Sequence, residues 1–361
     1  MITVTSPLLP DFEEFTALAR EIWSSRRLTN QGEFHKRFEE ALCRYLDVPY
    51  ISIFTNGTIP LLASLKALEI TGEVITTPYS FVATSHALKW CGLTPVFADA
   101  DPRTGNLDPQ SVERLISDKT TAILPVHVYG NPCDTEAIKR IAEHHGLKVI
   151  YDAAHAFGVR RSGRSILSEG DLSTLSFHAT KVFNTLEGGA VVCPTAAMKH
   201  KLDNLKNFGI RGELCVEEVG INGKMDELRA AFGLLNLRCV DAAIAARKER
   251  SELYRRLLGN ASRVAFTERD TATEHNYSHF PVLFSDREER DRVYGLLLDH
   301  GYHARRYFYP LITDSAPYDT CRGADATPNA RHISDRVLCL PLYHDLQLKD
   351  IEKICTLINN C

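Results

Sequence analysis

Residues 120–158 read TTAILPVHVYGNPCDTEAIKRIAEHHGLKVIYDAAHAFG. AILPVHV is a short apolar, β-branched run, TEAIKRIAEHHG repeats its apolar residues at helical spacing, and KVIYDAA is a second apolar run. Strand, helix and strand in that order make a parallel crossover. Toward the N-terminus the alternation continues from about residue 50: ISIFT then LLASLKAL, EVITT then FVATSHALKW, PVFADA then SVERLIS. Toward the C-terminus two more apolar strands, LSTLSFH and AVVCP, flank a small and polar segment that contains Lys181, close enough to pair. The pattern predicts an α/β fold with a mainly parallel sheet covered by helices on both faces, whose strand-end loops carry the chemistry.

From Met225 to about Leu258 a proline-free pattern beginning MDELRAAFGLLNLRCV reads as one extended helix leaving the sheet. It leads to HFPVLF, a strand, EERDRVYGLLLDHG, a helix closed by Gly301, and DIEKICTLIN, a terminal helix. The expected division is a large domain over 1–235 and a smaller C-terminal α+β domain over 236–361, in keeping with a length beyond that of a usual single domain.

Bulk properties exclude several classes. A net charge of -4 with no long run of one sign leaves no electrostatic footprint for nucleic acid or an anionic membrane. The opening MITVTSPLLPDFEEF lacks a basic stretch followed by an apolar one, and no apolar run is long enough to span a bilayer, so a cytoplasmic protein is expected. The ten cysteines are scattered without CxxC pairs or metal spacing, which fits reduced thiols and no metal site.

Three segments carry candidate chemistry. In YDAAHAFG an apolar strand ends in Asp152, with His155 three residues on. In an enzyme dependent on pyridoxal 5'-phosphate, a carboxylate beside the pyridine nitrogen keeps it protonated and makes the ring an electron sink. Asp152 suits that role and His155 suits the phenolic oxygen. The plainer reading is a helix-capping Asp and a packed His. Lys181, in SFHATKVFNTLEGGAVV, stands 29 residues after Asp152 (181 minus 152) between two buried strands. Most lysines are solvated, but an amine in a site of low polarity loses its proton more easily, attacks an aldehyde, and can then shuttle protons. Asn56-Gly57-Thr58 joins strand ISIFT to a helix start, where a phosphate binds well, and Ser176 offers a second hydroxyl; a common Asn-Gly turn is the alternative.

The order and context of these segments resemble the DegT/DnrJ/EryC1/StrS sugar aminotransferases, pyridoxal-phosphate enzymes of fold type I. The resemblance runs from LTNQGEFHKRFEEALCRYLDV through FTNGT, EVITTPYSFVAT, PVFADADPRTGNLDP, ILPVHVYGNPCD, YDAAHAFG and SFHATKVFNTLEGGAVV to NFGIRG and GINGKMDELRAAFGLLNL. It implies a seven-stranded sheet, Lys181 as the Schiff-base lysine, Asp152 as partner of the pyridine nitrogen and His155, where many relatives have Gln, as neighbour of the phenolic oxygen. Gly57, Thr58 and Ser176 would hold the phosphate, and Phe81 would stack on the ring. Asn222 matches an asparagine that reaches the phosphate from a neighbouring subunit, which implies a homodimer with shared sites. Many relatives follow it with an aromatic and Arg, where this chain has Gly223 and Lys224.

The implied reaction takes an amino group from L-glutamate, leaving pyridoxamine 5'-phosphate and 2-oxoglutarate, and passes it to a nucleotide-linked keto sugar. Within the family the wording resembles enzymes that aminate dTDP-4-keto-6-deoxy-D-glucose at C4 in deoxyamino-sugar and lipopolysaccharide O-antigen biosynthesis. Amination at C3 of a dTDP-3-keto-6-deoxyhexose is the alternative, and a non-catalytic cofactor-binding regulator the alternative of another class. Arg305, Arg306 and Tyr309, in HARRYFYP, are candidate contacts for the diphosphate or the sugar.

Overall fold

Along the apolar runs successive side chains go to opposite faces, as a period of two requires. Ile51 and Ile53 enter one hydrophobic cluster while Phe54 enters another. Ala190 and Val192 follow the first pair, and Val191 and Cys193 follow Phe54. The runs are therefore strands buried on both sides.

The computed structural model describes residues 1–212, 214–259 and 263–361. Its central sheet has seven strands: β1 Tyr50–Phe54, β2 Glu73–Thr76, β3 Thr94–Phe97, β4 Thr120–Leu124, β5 Lys148–Asp152, β6 Leu172–Ser176 and β7 Gly189–Cys193. Their spatial order is β1-β7-β6-β5-β4-β2-β3. Only β7 runs against its neighbours, pairing antiparallel with both β1 and β6. The other contacts are parallel. The sheet is mainly parallel, as the alternation predicts, with seven strands as the resemblance implies, and β7 makes it mixed.

Helices cover both faces. α3 (Thr58–Ala67), α4 (Ala83–Trp90) and α6 (Ala196–Leu205) bury Leu61, Leu88 and Leu202 with Phe54 and Val191. On the other face lie α2 (Glu33–Leu46), α5 (Thr135–His145) and α7 (Glu227–Leu237), reached by Phe38, Ile138 and Ala230; α1 (Phe12–Ser25) sets Phe15 edge-on to Phe232 of α7, 5.6 Å between ring centres. α5 begins where expected because Asp134 accepts from the Ala137 N–H at 3.0 Å and caps it.

The expected single helix from Met225 to Leu258 is two helices, α7 and α8 (Val240–Leu258). At the break the Arg238 N–H turns back to Asn236 and Leu235 carbonyls. Asn236, fully buried, explains the break: its amide donates to Leu8 O and Asn184 O, both at 3.0 Å, and fixes the end of α7 to the N-terminal segment and to the loop between β6 and β7. Tyr254 and Leu258 of α8 belong instead to a separate cluster built around β8 (Phe280–Leu283), β9 (Val337–Leu340), α9 (Arg287–Asp299) and α10 (Leu348–Asn359). β8 and β9 pair antiparallel, with Phe280 opposite Leu340. Residues Ile2–Thr3 pair with Tyr302–His303, so the N-terminal end reaches the C-terminal unit.

Candidate active site

β1, β5 and β6 end on the same edge of the sheet, and the loops that follow them wall a cavity of about 670 Å³. It gathers Gly57, Thr58, Phe81, Asp152, His155, Ser176 and Lys181, seven residues that the sequence spreads over more than a hundred positions.

Asp152 is the last residue of β5 and is buried. Thr84 Oγ1, in the first turn of α4, donates to its Oδ2 at 2.8 Å, and the Ala154 N–H donates to Oδ1 at 3.1 Å. Burial raises its pKa, against those two hydrogen bonds and the nearby Lys181. It forms no ion pair among the described residues, and a buried carboxylate of that kind is completed by a cation. Lys181 follows the tight turn in which its N–H bonds His178 O at 2.9 Å. Burial pushes its amine down to about 8 in spite of Asp152. His155 Nδ1 accepts from the Tyr129 N–H at 3.3 Å, so the neutral ring carries its proton on Nε2. Burial, with Lys181 and His279 close by, holds the ring pKa well below the usual histidine range.

Gly57 is a glycine because of close approach. A Cβ there would lie 2.7 Å from Ser176 Cβ and Oγ. Asn56 Oδ1 accepts from the Thr58 and Ile59 N–H groups at 2.9 and 3.0 Å and orders the start of α3. The result is a cradle with two hydroxyls at a helix N-terminus, which fits a phosphate. Together with an unpaired buried acid and an amine of lowered pKa, it fits pyridoxal phosphate. Phe81 stands on the rim and is 61% exposed.

Asn222 is exposed and does not line this cavity; its backbone bridges to Asn207. Gly223 beside it is buried, and a Cβ there would press on Ile59 Cγ2 at 2.8 Å. Lys224 Nζ lies over the Phe208 ring, 4.9 Å from its centre. Of the candidate sugar contacts, Arg305 lines both the main cavity and an adjoining one of about 370 Å³. Arg306 Nε pairs with Asp291 Oδ1 at 3.2 Å, and the Tyr309 ring is covered by Arg290 at 4.3 Å. Both therefore already have partners.

Sequence reasoning passed over Thr84, Arg229 and His279, all in the cavity wall. Arg229 donates to Thr55 O and Oγ1 at 3.1 and 2.8 Å, beside the glycine cradle. An arginine among the apolar residues of MDELRAAFG was the available signal. His279 left none, since it reads as the first residue of the strand HFPVLF.

The chain matches the DegT/DnrJ/EryC1/StrS aminotransferase family over residues 11–359. It is 48% identical over 359 residues to dTDP-4-amino-4,6-dideoxy-D-glucose transaminase of Shigella dysenteriae, covering 99% of this chain and 98% of that protein. Against the transaminase of the same name from Escherichia coli the identity is 47% over 362 residues, with the same coverage. Among solved structures, DesI in the presence of its TDP-sugar product superposes with a TM-score of 0.95 at 34% identity, covering 100% of this chain and 92% of that one.

Proposed function

The chain belongs to the DegT/DnrJ/EryC1/StrS aminotransferase family, and from that premise we propose how its cavity works and on what. It is a pyridoxal-phosphate dependent transaminase that moves the amino group of L-glutamate to C4 of dTDP-4-keto-6-deoxy-D-glucose, giving dTDP-4-amino-4,6-dideoxy-D-glucose and 2-oxoglutarate. The chemistry rests on one observation above all, the convergence of the Lys181 amine, the unpaired Asp152 carboxylate and the Gly57 cradle on one cavity. The choice of sugar rests on near-half identity over the full length.

When bound, the cofactor supplies a protonated pyridine ring that draws electron density from a substrate carbon losing its proton. Asp152 holds that ring proton, and the hydrogen bonds from Thr84 and Ala154 keep its carboxylate aimed. Lys181 Nζ would hold the cofactor, and its neutral amine would take the proton from Cα of glutamate in the first half of the reaction and deliver one to C4 of the sugar in the second. His155 offers Nε2–H to the phenolic oxygen. The Thr58 and Ser176 hydroxyls beside Gly57 would hold the phosphate, and Phe81 would stack on the ring. Arg305, unlike Arg306, has no ion pair among the described residues and suits the sugar's diphosphate.

The same reading has the site completed in a homodimer by Asn222 of the partner subunit, and places the enzyme in the cytoplasm, supplying an amino sugar for O-antigen. No described helix is long and apolar enough to cross a membrane. The test is to incubate the protein with cofactor, glutamate and a panel of dTDP-keto sugars and to identify the product by NMR. Large H4 couplings to H3 and H5 mark the expected equatorial C4 amine. A small H3 to H4 coupling, or exclusive use of a 3-keto isomer, overturns the regiochemical and stereochemical assignment and leaves the transaminase reading standing.

A further inference from the structure

One buried side chain links the two walls of the cavity. Tyr129 sits in the turn Val128–Gly130 after β4 with φ of 57°, a left-handed conformation that side-chain-bearing residues seldom adopt. That turn aims its backbone N–H at His155 Nδ1, 3.3 Å away. Its phenol runs the other way and donates to the main-chain carbonyl of Tyr307. Tyr79, also buried, touches the Tyr129 hydroxyl and lies 3.2 Å from the same carbonyl. Stacking repeats the connection. The Phe308 ring lies parallel to Tyr129, 6.1 Å between centres and 3° apart, and parallel to His155 at 6.0 Å and 5°.

We propose that Tyr129 is a positioning residue that ties the wall at Tyr307–Phe308 to the tautomer of His155, so that the segment receiving the sugar and the imidazole facing the cofactor hold one fixed relation. The proposal rests on the reading of the cavity given above. Its physical basis is that a left-handed turn needs an anchor. Released from the Tyr307 carbonyl, Tyr129 relaxes toward ordinary backbone angles and draws its N–H away from Nδ1, and with it goes the preference for a proton on Nε2. Simple core packing makes a different demand, because the ring alone would satisfy it.

Tyr129→Phe keeps the ring and the backbone and removes only the hydroxyl. In the holoenzyme we expect KM for the keto sugar nucleotide to rise about tenfold, the upper range for one lost buried hydrogen bond, and the absorption maximum of the bound cofactor to move, because His155 no longer offers the same donor. Tyr79→Phe removes a hydroxyl from the same carbonyl without touching His155, so it should raise KM and leave the absorption maximum in place. A Tyr129→Phe protein with wild-type KM and spectrum, one altered only in melting temperature, or equal spectral shifts in the two variants would each overturn the proposal. A wild-type chain that acquires no visible band with cofactor would instead defeat the reading of the cavity, and the positioning role with it.

Discussion

Burial outweighs the attraction of Asp152 at Lys181, and the amine is pushed down to about 8. Desolvation disfavours the charged form, so above that pH Nζ is neutral and nucleophilic, and below it the amine carries a proton and cannot attack. The rate at which the cofactor-free chain gains a borohydride-reducible visible band should therefore climb with pH and level off above about 8. A rate still climbing through pH 10 would mark an ordinary lysine. Lys181→Ala should gain no such band at any pH. The linked stability has the same sign: between about 8 and the ordinary lysine value the unfolded chain binds the extra proton, so this group makes the folded state more stable as pH rises through that window. At Asp152 the expected substitution effect is kinetic. On the proposed role Asp152→Asn would keep the hydrogen-bonding shape yet no longer hold a proton on the pyridine nitrogen, and steady-state kcat should fall at least about a hundredfold, roughly 3 kcal/mol of barrier. A rate within a fewfold of wild type would show that the carboxylate does something else.

Elements decide whether those residues meet, and one of them depends on a charge hidden beneath it. Under β1, Lys206 is fully buried, with Nζ 2.7 Å from Asp203 Oδ1, 3.2 Å from Glu39 Oε1 and 2.9 Å from Ser52 Oγ. Burial alone would raise the Glu39 carboxyl, but Lys206, with His35 and Lys199, holds it well below the usual carboxylate range. Lys206→Met removes one of the two cations that neutralise Glu39 and Asp203 beside the strand that leads to Gly57, leaving Lys199 2.7 Å from each carboxylate, and should lower stability by about 1–3 kcal/mol, short of the roughly 3–5 kcal/mol of a buried charge left with no partner. Chemical denaturation reads this, and a loss under about 1 kcal/mol would show the cluster to be well hydrated. None of this was visible as a pattern, because Glu39, Asp203 and Lys206 read as solvated positions on amphipathic segments. The seven strands were legible since both faces are buried and most runs are apolar and β-branched, broken only by small hydroxyl residues as in LSTLS. The break between α7 and α8 was not legible: no Pro marks it, and its cause is Asn236 reaching two carbonyls far away in sequence. Tyr129 was equally silent, since its role depends on a left-handed turn and on a carbonyl 178 residues away.

At the scale of the whole molecule the single chain leaves a part of itself unexplained. The segment that ends at Asn222 exposes Leu214 and Val219 almost completely, at 99% and 95%, and Phe208 and Ile221 by nearly half. Apolar side chains exposed along one segment suit a face that the proposed homodimer covers. Asn222 stands among them, outside its own chain's cavity, which is what an asparagine acting on a neighbour's site requires. Two inactive variants distinguish this from a structural role. A Lys181→Ala chain keeps Asn222, and an Asn222→Ala chain keeps Lys181. In a mixed homodimer one site then receives both intact residues and the other receives neither. Random exchange makes half of the dimers mixed, so activity should recover to about a quarter of wild type, above either parent. Size-exclusion chromatography with differently tagged chains verifies that exchange has taken place. If exchange is complete and activity stays at the level of the better parent, Asn222 acts within its own chain or not at all. Replacing Leu214 and Val219 by Asp should break the dimer and lower activity together, and the loss should ease as protein concentration rises, because association restores what substitution weakened. Activity independent of concentration in that variant would show that the exposed segment serves a different contact.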